Sequence, residues 1–273
     1  MLDSFNRFRV ENVDYSNACI GVVGLGYVGL PTALAFHSAG FRVIGIDYSK
    51  SVIDALKSGK SHLRDDSVEI EIPPISEKWS VTNDYDVSIP ECDVVLITVP
   101  TPVRDDKSPD LSFVESASKS VISNLGRGKK TVVVLQSTVY PGVTRKILGD
   151  LCGKIDPQLD IDVVLAYSPE RVDPGDSMRS VSGVSQIVGC DNKKDGVWLS
   201  GLFDQITSEE AVFVGSIEVA EASKLIENVQ RDIDIAFANE LSRVLPLMGI
   251  DVEQVLDAAS TKWNFHRHSP GIG

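Results

Sequence analysis

Positive charge is scarce in this sequence. Its 273 residues carry 26 Lys and Arg against 39 Asp and Glu, a formal net charge of −13. Nucleic acids and acidic membrane surfaces require basic patches, so this balance argues against both as partners. It does not argue against a small anionic ligand, which needs only local positive charge. Cysteine is also sparse: Cys19, Cys92, Cys152 and Cys190 are scattered and form no C-x-x-C pair. They read as reduced, mostly buried thiols. No apolar run reaches membrane-spanning length. The first 17 residues are polar and mixed in charge, unlike a signal peptide. The expected location is the cytoplasm. What remains is an ordinary globular composition, 42% apolar and 24% charged, long enough for one large α/β domain and part of another.

The informative stretch runs over residues 18–40. Cys19-Ile20-Gly21-Val22-Val23 suits a strand buried on both faces. Gly24-Leu25-Gly26-Tyr27-Val28-Gly29 follows at once, and Leu30-Pro31-Thr32-Ala33-Leu34-Ala35-Phe36 opens a helix. In such a turn Gly24 allows the tight bend, Gly26 lets the backbone approach a pyrophosphate, and Gly29 lets helix and strand pack closely. The anion then sits on the positive end of the helix dipole. A second strand over 41–46 ends in Asp47, about 18 positions after the last glycine, where a carboxylate meets the adenosine ribose. An acid there favours NAD, because a 2′-phosphate would be repelled.

Beyond Asp47, Ser49 can cap a helix through Ser58 that Gly59 ends. Residues 60–78 are charged and contain Pro73-Pro74, a surface excursion with room for one short helix. Strands are expected over 79–82 and 93–99, the second running into Pro100-Thr101-Pro102. Asp110 caps a helix with Leu111, Val114, Ala117, Val121 and Ile122 at helical spacing. A strand over 131–135 leads into Gln136-Ser137-Thr138, a helix over 143–152 follows, and a strand over 162–167 precedes Ser168-Pro169-Glu170-Arg171-Val172. A strand over 186–189, a helix near 194–203 and a strand over 211–214 complete the alternation. The fold class is α/β: a Rossmann-like, doubly wound, mostly parallel sheet. Its ligands belong at the carboxyl ends of the strands.

From Ser216 the pattern changes to a helix reaching about Met248, roughly 45 Å long. Ala222, Ile226, Val229, Ile233, Ala236 and Phe237 fall on one face, and Glu221, Lys224, Asn228 and Arg231 form a narrow stripe opposite. Taken alone, that stripe reads as a solvated surface, but a helix this long behind a Rossmann-type domain is commonly the spine linking two lobes, with both faces in demand. Gly249 ends the helix and Asp251 caps a short one to Ala259. The expected organisation is a polar extension over 1–17, a cofactor-binding domain over 18–215, and the long helix with a partial central helical domain over 216–273.

In this order, Gly24 to Pro31, Val99-Pro100-Thr101-Pro102, Ser137-Thr138-Val139-Tyr140-Pro141-Gly142, Ser168-Pro169-Glu170-Arg171-Val172 and Lys224-Leu225-Ile226-Glu227-Asn228 resemble the UDP-glucose/GDP-mannose dehydrogenase family. The stretches Ser108-Pro109-Asp110-Leu111-Ser112 and Thr261-Lys262-Trp263-Asn264-Phe265 look most like its branch acting on UDP-N-acetylhexosamines, which makes uronic acids for surface polysaccharides. The resemblance implies oxidation of a sugar C6 alcohol to a carboxylate in two hydride transfers to NAD⁺. It also implies cofactor contacts from Gly24, Gly26, Tyr27, Val28, Gly29, Asp47, Pro100, Thr101 and Thr138. Thr138 and Glu170 would position or activate water, and Lys224 with Asn228 would stabilise developing oxyanion charge or shuttle the proton. Glu170, Arg171, Val172, Lys224, Asn228 and Arg231 would face the substrate. Without the resemblance, Thr138 can be a helix cap, Glu170 and Arg171 a loop ion pair, and Lys224 a surface lysine.

Two departures stand out. Asp234 occupies a position where the family usually has Asn, at the edge of the polar stripe, so tuning rather than loss is expected. The family's catalytic cysteine lies just beyond a Pro-Gly-rich approach, and the sequence stops within it, at Ser269-Pro270-Gly271-Ile272-Gly273. The expectation is therefore the N-terminal part of a nucleotide-sugar dehydrogenase. It would lack the cysteine and the C-terminal UDP-binding domain, bind NAD, form a homodimer through the long helix, and be unable to complete the oxidation alone. Three rivals remain: a non-catalytic NAD-binding and dimerisation module, a UDP-glucose 6-dehydrogenase, and a β-hydroxyacid dehydrogenase, which shares the glycine turn and a Lys with Asn four residues on. His266 and His268 lack further ligands, so no metal is expected.

Overall fold

A computed structural model describes residues 14–63, 70–171 and 183–272. Val172 and most of the N-terminal extension lie outside the described residues. The chain divides into two compact units, Met1–Ala222 and Ser223–Gly273.

The first unit is built on one sheet of eight strands among the described residues: β1 (Cys19–Val23), β2 (Arg42–Ile46), β3 (Trp79–Thr82), β4 (Val94–Ile97), β5 (Lys130–Leu135), β6 (Asp162–Tyr167), β7 (Ile187–Cys190) and β8 (Val212–Gly215). Their order is β3-β2-β1-β4-β5-β6-β7-β8. Every pairing is parallel except β6 with β7. The order reverses between β1 and β4, the place where doubly wound sheets open a crevice. The central strands are apolar runs because both of their faces are covered; β1 and β4 are buried throughout.

Helices α1 (Gly29–Ser38), α2 (Lys50–Lys57), α3 (Tyr85–Ser88), α4 (Ser112–Ser123), α5 (Asp150–Cys152) and α6 (Lys193–Phe203) connect the strands. Ile20 and Val22 pack with Leu30 and Phe36 of α1, Leu56 of α2 and Leu202 of α6 on one face. Val23, Val95 and Ile97 pack with Val114 and Val121 of α4, and with Ile217, on the other. Each fully buried Leu, Ile or Phe contributes about 1.5–3 kcal/mol, so the two layers together fix which way every strand faces. Among the described residues no helix is long and apolar enough to cross a membrane.

Several details differ from the sequence-based expectations. The helix expected over 143–152 forms over those residues, but its middle, Arg145–Gly149, is wound as a π-helix before α5. Residues 60–78 contain no helix among those described. Ser49 stands at the N-cap of α2 but its hydroxyl meets Ser51 rather than the helix backbone. The long helix α7 (Ile217–Val244) gives way to a 3₁₀ turn at Leu245–Met248, where Pro246 removes an N–H donor.

The unit boundary falls within α7. In the second unit α7 continues to Val244, Gly249 ends the turn with a φ of 72°, and α8 (Val252–Ser260) starts from Asp251, whose side chain accepts from Gln254 N at 2.9 Å. The closing segment returns to α7: Asn239 Nδ2 donates to Gly271 O at 2.8 Å, and Gly271 N donates to Asn239 Oδ1 at 2.8 Å.

Candidate functional site

The parallel strands end in register, and the backbone ladder runs one residue further at their carboxyl edge. Gly24 N donates to Ile46 O, Thr98 N to Val23 O, Gln136 N to Ile97 O and Ser168 N to Leu135 O. Four loops therefore leave the sheet side by side, and side chains tie them together. Thr98 Oγ1 donates to Gly24 O at 2.6 Å, within reach also of Val23 O at 3.0 Å. Ser137 Oγ donates to Val99 O at 2.6 Å, Thr101 Oγ1 donates to Thr138 O at 3.0 Å, and Tyr167 Oη donates to Ser137 O at 3.3 Å. Thr101 and Thr138, from separate strands, are thus brought together.

Each glycine of the turn meets a different demand. Gly24 has a φ of 91°, which other L residues rarely adopt. A Cβ on Gly29 would lie 1.8 Å from Gly24 O, so α1 can pack on β1 only without a side chain there. A Cβ on Gly26 would meet nothing within 4 Å. The protein leaves that space open above the start of α1, whose first turn has no acidic side chain and no side-chain cap. That fits an anion held by helix N–H groups.

Asp47 follows β2 at the same edge and is 8% exposed. Its Oδ2 accepts from Leu25 N at 2.8 Å and its Oδ1 from Ser49 N at 2.8 Å. The carboxylate is thereby fixed beside the glycine turn, as a ribose ligand must be. Tyr85 stands near it: burial, and then the Asp47 charge, push its phenol up to about 12, so it remains a neutral hydrogen-bonding group across the physiological range. Sequence reading missed Tyr85 and Thr98, and took Ser137 only as part of a strand-end loop, because their contacts span elements distant in sequence and no local spacing announces them.

The remaining expected residues are placed as follows. Pro100, Tyr27 and Thr138 are exposed, and Val28 is half-buried. Glu170 and Arg171 leave β6 on one loop; Arg171 N donates to Glu170 Oε1 at 2.8 Å, and Arg171 Nη1 donates to Ser185 O at 2.8 Å. In the second unit Lys224 is half-buried and Asn228 and Arg231 are exposed, all on α7. Glu221 corrects the reading of that polar stripe as solvated: it is fully buried. The reason is local, since its carboxylate accepts from two backbone N–H groups, Gly142 at 2.5 Å and Thr144 at 2.9 Å. Asp234 lies 3.6 Å from His268 Nδ1, so the acid at that position faces a group able to carry positive charge.

All four cysteines are free thiols, three of them buried. Cys19 and Cys92 stand at the amino ends of β1 and β4, away from the strand-end loops. Among the described residues no three His, Cys, Asp or Glu side chains are grouped as metal ligands would be.

A parallel sheet with a switch point, a glycine turn opening a helix, and a fixed acid after the second strand together define a Rossmann-type dinucleotide-binding domain. Residues 18–207 match the UDP-glucose/GDP-mannose dehydrogenase family, NAD binding domain, and residues 218–273 match that family's central domain. The chain belongs to the UDP-glucose/GDP-mannose dehydrogenase family. It is 36% identical over 255 residues to the UDP-N-acetyl-D-glucosamine 6-dehydrogenase of Pseudomonas aeruginosa, covering 93% of this chain and 59% of the relative. To the enzyme of that name from Salmonella typhi it is 38% identical over 263 residues, covering 93% and 58%. The solved structure of a UDP-D-ManNAc dehydrogenase from Pyrococcus horikoshii superimposes with a TM-score of 0.80 at 33% identity, over 93% of this chain and 60% of that one. The chain thus spans about 59% of the length of the first of these relatives.

Proposed function

We propose that this chain supplies the cofactor-binding part, and several acid–base groups, of an NAD-dependent dehydrogenase that oxidises the C6 alcohol of a UDP-N-acetylhexosamine to the uronic acid. The observation that carries the reading is the strand-end array: the open space at Gly26, the fixed Asp47 carboxylate, and Thr101 bonded to the Thr138 loop. The names of the two bacterial relatives support the sugar class. Bound NAD⁺ would supply the hydride acceptor, two equivalents for each carboxylate formed, with water supplying the second carboxylate oxygen.

This chain's own residues then have distinct tasks. Gly24, Gly26, Tyr27, Val28 and Gly29 admit the pyrophosphate, Asp47 takes the adenosine ribose, and Pro100, Thr101 and Thr138 border the nicotinamide half. Thr138 and Glu170 position water, and Lys224 with Asn228 stabilises charge developing on the alcohol oxygen. Arg171 and Arg231 offer hydrogen bonds to the anionic substrate, and Val172 is assigned to the substrate as well. The proposed organisation keeps the cofactor domain at 18–215 and gives 216–273 to the central helical domain.

The assay is absorbance of NADH after mixing the NAD⁺-saturated chain with candidate alcohols. Because the chain alone is expected not to complete the oxidation, NADH from UDP-N-acetylglucosamine is expected to stay below the ordinary enzyme range of about 1–10³ s⁻¹, and any that forms is expected to vanish in Lys224→Ala. NADH from a small β-hydroxyacid, with none from the nucleotide sugar, would replace this reading by the rival one.

We further infer a homodimer through α7. Ile226, Ile233 and Phe237 are 63%, 62% and 56% exposed and recur at helical spacing, a continuous apolar stripe that water would leave costly. Sedimentation should find a dimer at micromolar concentration and a monomer for the double variant Ile233→Glu with Phe237→Glu. A monomeric parent chain contradicts it.

A further inference from the structure

Glu221 has a role that its position in the sequence hides. Its carboxylate is fully buried, yet the partners it has are two backbone N–H groups rather than a cation: Gly142 N to Oε2 at 2.5 Å and Thr144 N to Oε1 at 2.9 Å. These are the leading N–H groups of the helical segment after β5, and leading N–H groups have no partner within their own helix. A side chain from α7 therefore caps a different element. One turn earlier on α7, Glu218 accepts from Arg145 Nε at 2.6 Å and Nη2 at 3.2 Å, and Arg145 also holds Asp191 at 2.8 Å. Arg145 holds the Glu218 carboxyl down at about 2.

The loop so capped is the one that carries Thr138. Its near end is bound by Ser137 to Val99 O, by Tyr167 to Ser137 O and by Thr101 to Thr138 O. Its far end is bound at Gly142 and Thr144 by Glu221. Only 139–141 lie between the anchors, and Val139 among them is buried. Packing alone would favour an apolar residue at 221, because burying a carboxylate is costly unless its hydrogen bonds are made. What an acid supplies here, and an apolar side chain cannot, is two acceptors for the start of the 142–144 segment.

We propose that Glu221 is a positioning residue: it fixes the loop over 138–142, and so the Thr138 hydroxyl, for contact with the bound dinucleotide. This rests on the reading of Thr138 as a cofactor contact. The test compares Glu221→Gln with Arg145→Gln, which breaks the neighbouring ion pairs but leaves the Gly142 and Thr144 caps. NAD⁺ affinity is measured by calorimetry at a temperature where all chains are folded, and amide exchange at Gly142 and Thr144 is followed by NMR.

Glu221→Gln should raise exchange at both amides and weaken NAD⁺ binding about tenfold, the effect of one good hydrogen bond. Arg145→Gln should lower thermal stability and leave NAD⁺ affinity within about twofold. Equal affinity in Glu221→Gln and the parent would overturn the role. Should Glu221→Gln not fold, the parent decides: NAD⁺ saturation should slow exchange at Gly142 and Thr144 at least about tenfold more than at the strand amides of Val133 and Val134, and no difference would overturn it. A parent chain that binds no NAD⁺ would instead overturn the cofactor reading on which the role depends.

Discussion

Gly29→Ala is expected to abolish NAD⁺ binding and to destabilise the first unit by about 1–3 kcal/mol or more. The new methyl would stand 1.8 Å from Gly24 O and 2.4 Å from Thr98 Oγ1. Neither atom can retreat cheaply. Gly24 O accepts from Thr98 at 2.6 Å, and Gly24 N donates to Ile46 O at 2.8 Å, so moving the turn breaks the sheet edge. Gly26→Ala is the control that separates binding from folding. Its methyl meets nothing within 4 Å, so the melting temperature should stay within about 2 °C of the parent. NAD⁺ affinity should nevertheless fall at least about tenfold, because the methyl enters the space left for the pyrophosphate. Denaturant unfolding and calorimetry on both variants give the four numbers. Parent-like NAD⁺ affinity in Gly26→Ala would mean that the cofactor does not cross the turn.

Asp47→Ala should weaken NAD⁺ binding by about 10–100-fold, equivalent to about 1.4–2.8 kcal/mol. It should also reduce discrimination against NADP⁺ to within a few-fold. Two effects combine: the ribose loses a fixed acceptor, and Leu25 N and Ser49 N lose the partners that hold the turn at 2.8 Å each. Loss of hydrogen bonds to a charged group costs about 1.5–3 kcal/mol each where the donors stay buried, so a drop in stability accompanies the loss of affinity. Discrimination against NADP⁺ that survives the substitution would assign cofactor choice to another residue.

The sheet was legible because its strands are short apolar runs punctuated by glycine and proline, as at Val23-Gly24 and Val99-Pro100. The cofactor turn was legible because three glycines, a helix start and a distant acid obey fixed mechanical spacings. The antiparallel β7 was not, since direction leaves no mark on a four-residue apolar run. The helix over 143–152 was legible, but the π winding of its middle at Arg145–Gly149 was not; an apolar spacing fits either. Glu221 was misread for a related reason. A helical wheel assigns a charge to a solvated face when its neighbours there are charged, and it cannot see that the first turns of α7 pack on a helix start that needs acceptors. Thr98, Ser137 and Tyr85 act through contacts between separate loops, which no window of the sequence contains.

A calorimetric titration of the unaltered chain with NAD⁺, repeated with NADP⁺, tests the dinucleotide site most directly. Saturable binding of one NAD⁺ per chain is expected, with NADP⁺ bound at least about tenfold more weakly because its 2′-phosphate meets the Asp47 carboxylate. Equal or tighter binding of NADP⁺ would contradict the role of Asp47, and no binding of either dinucleotide would contradict the site itself.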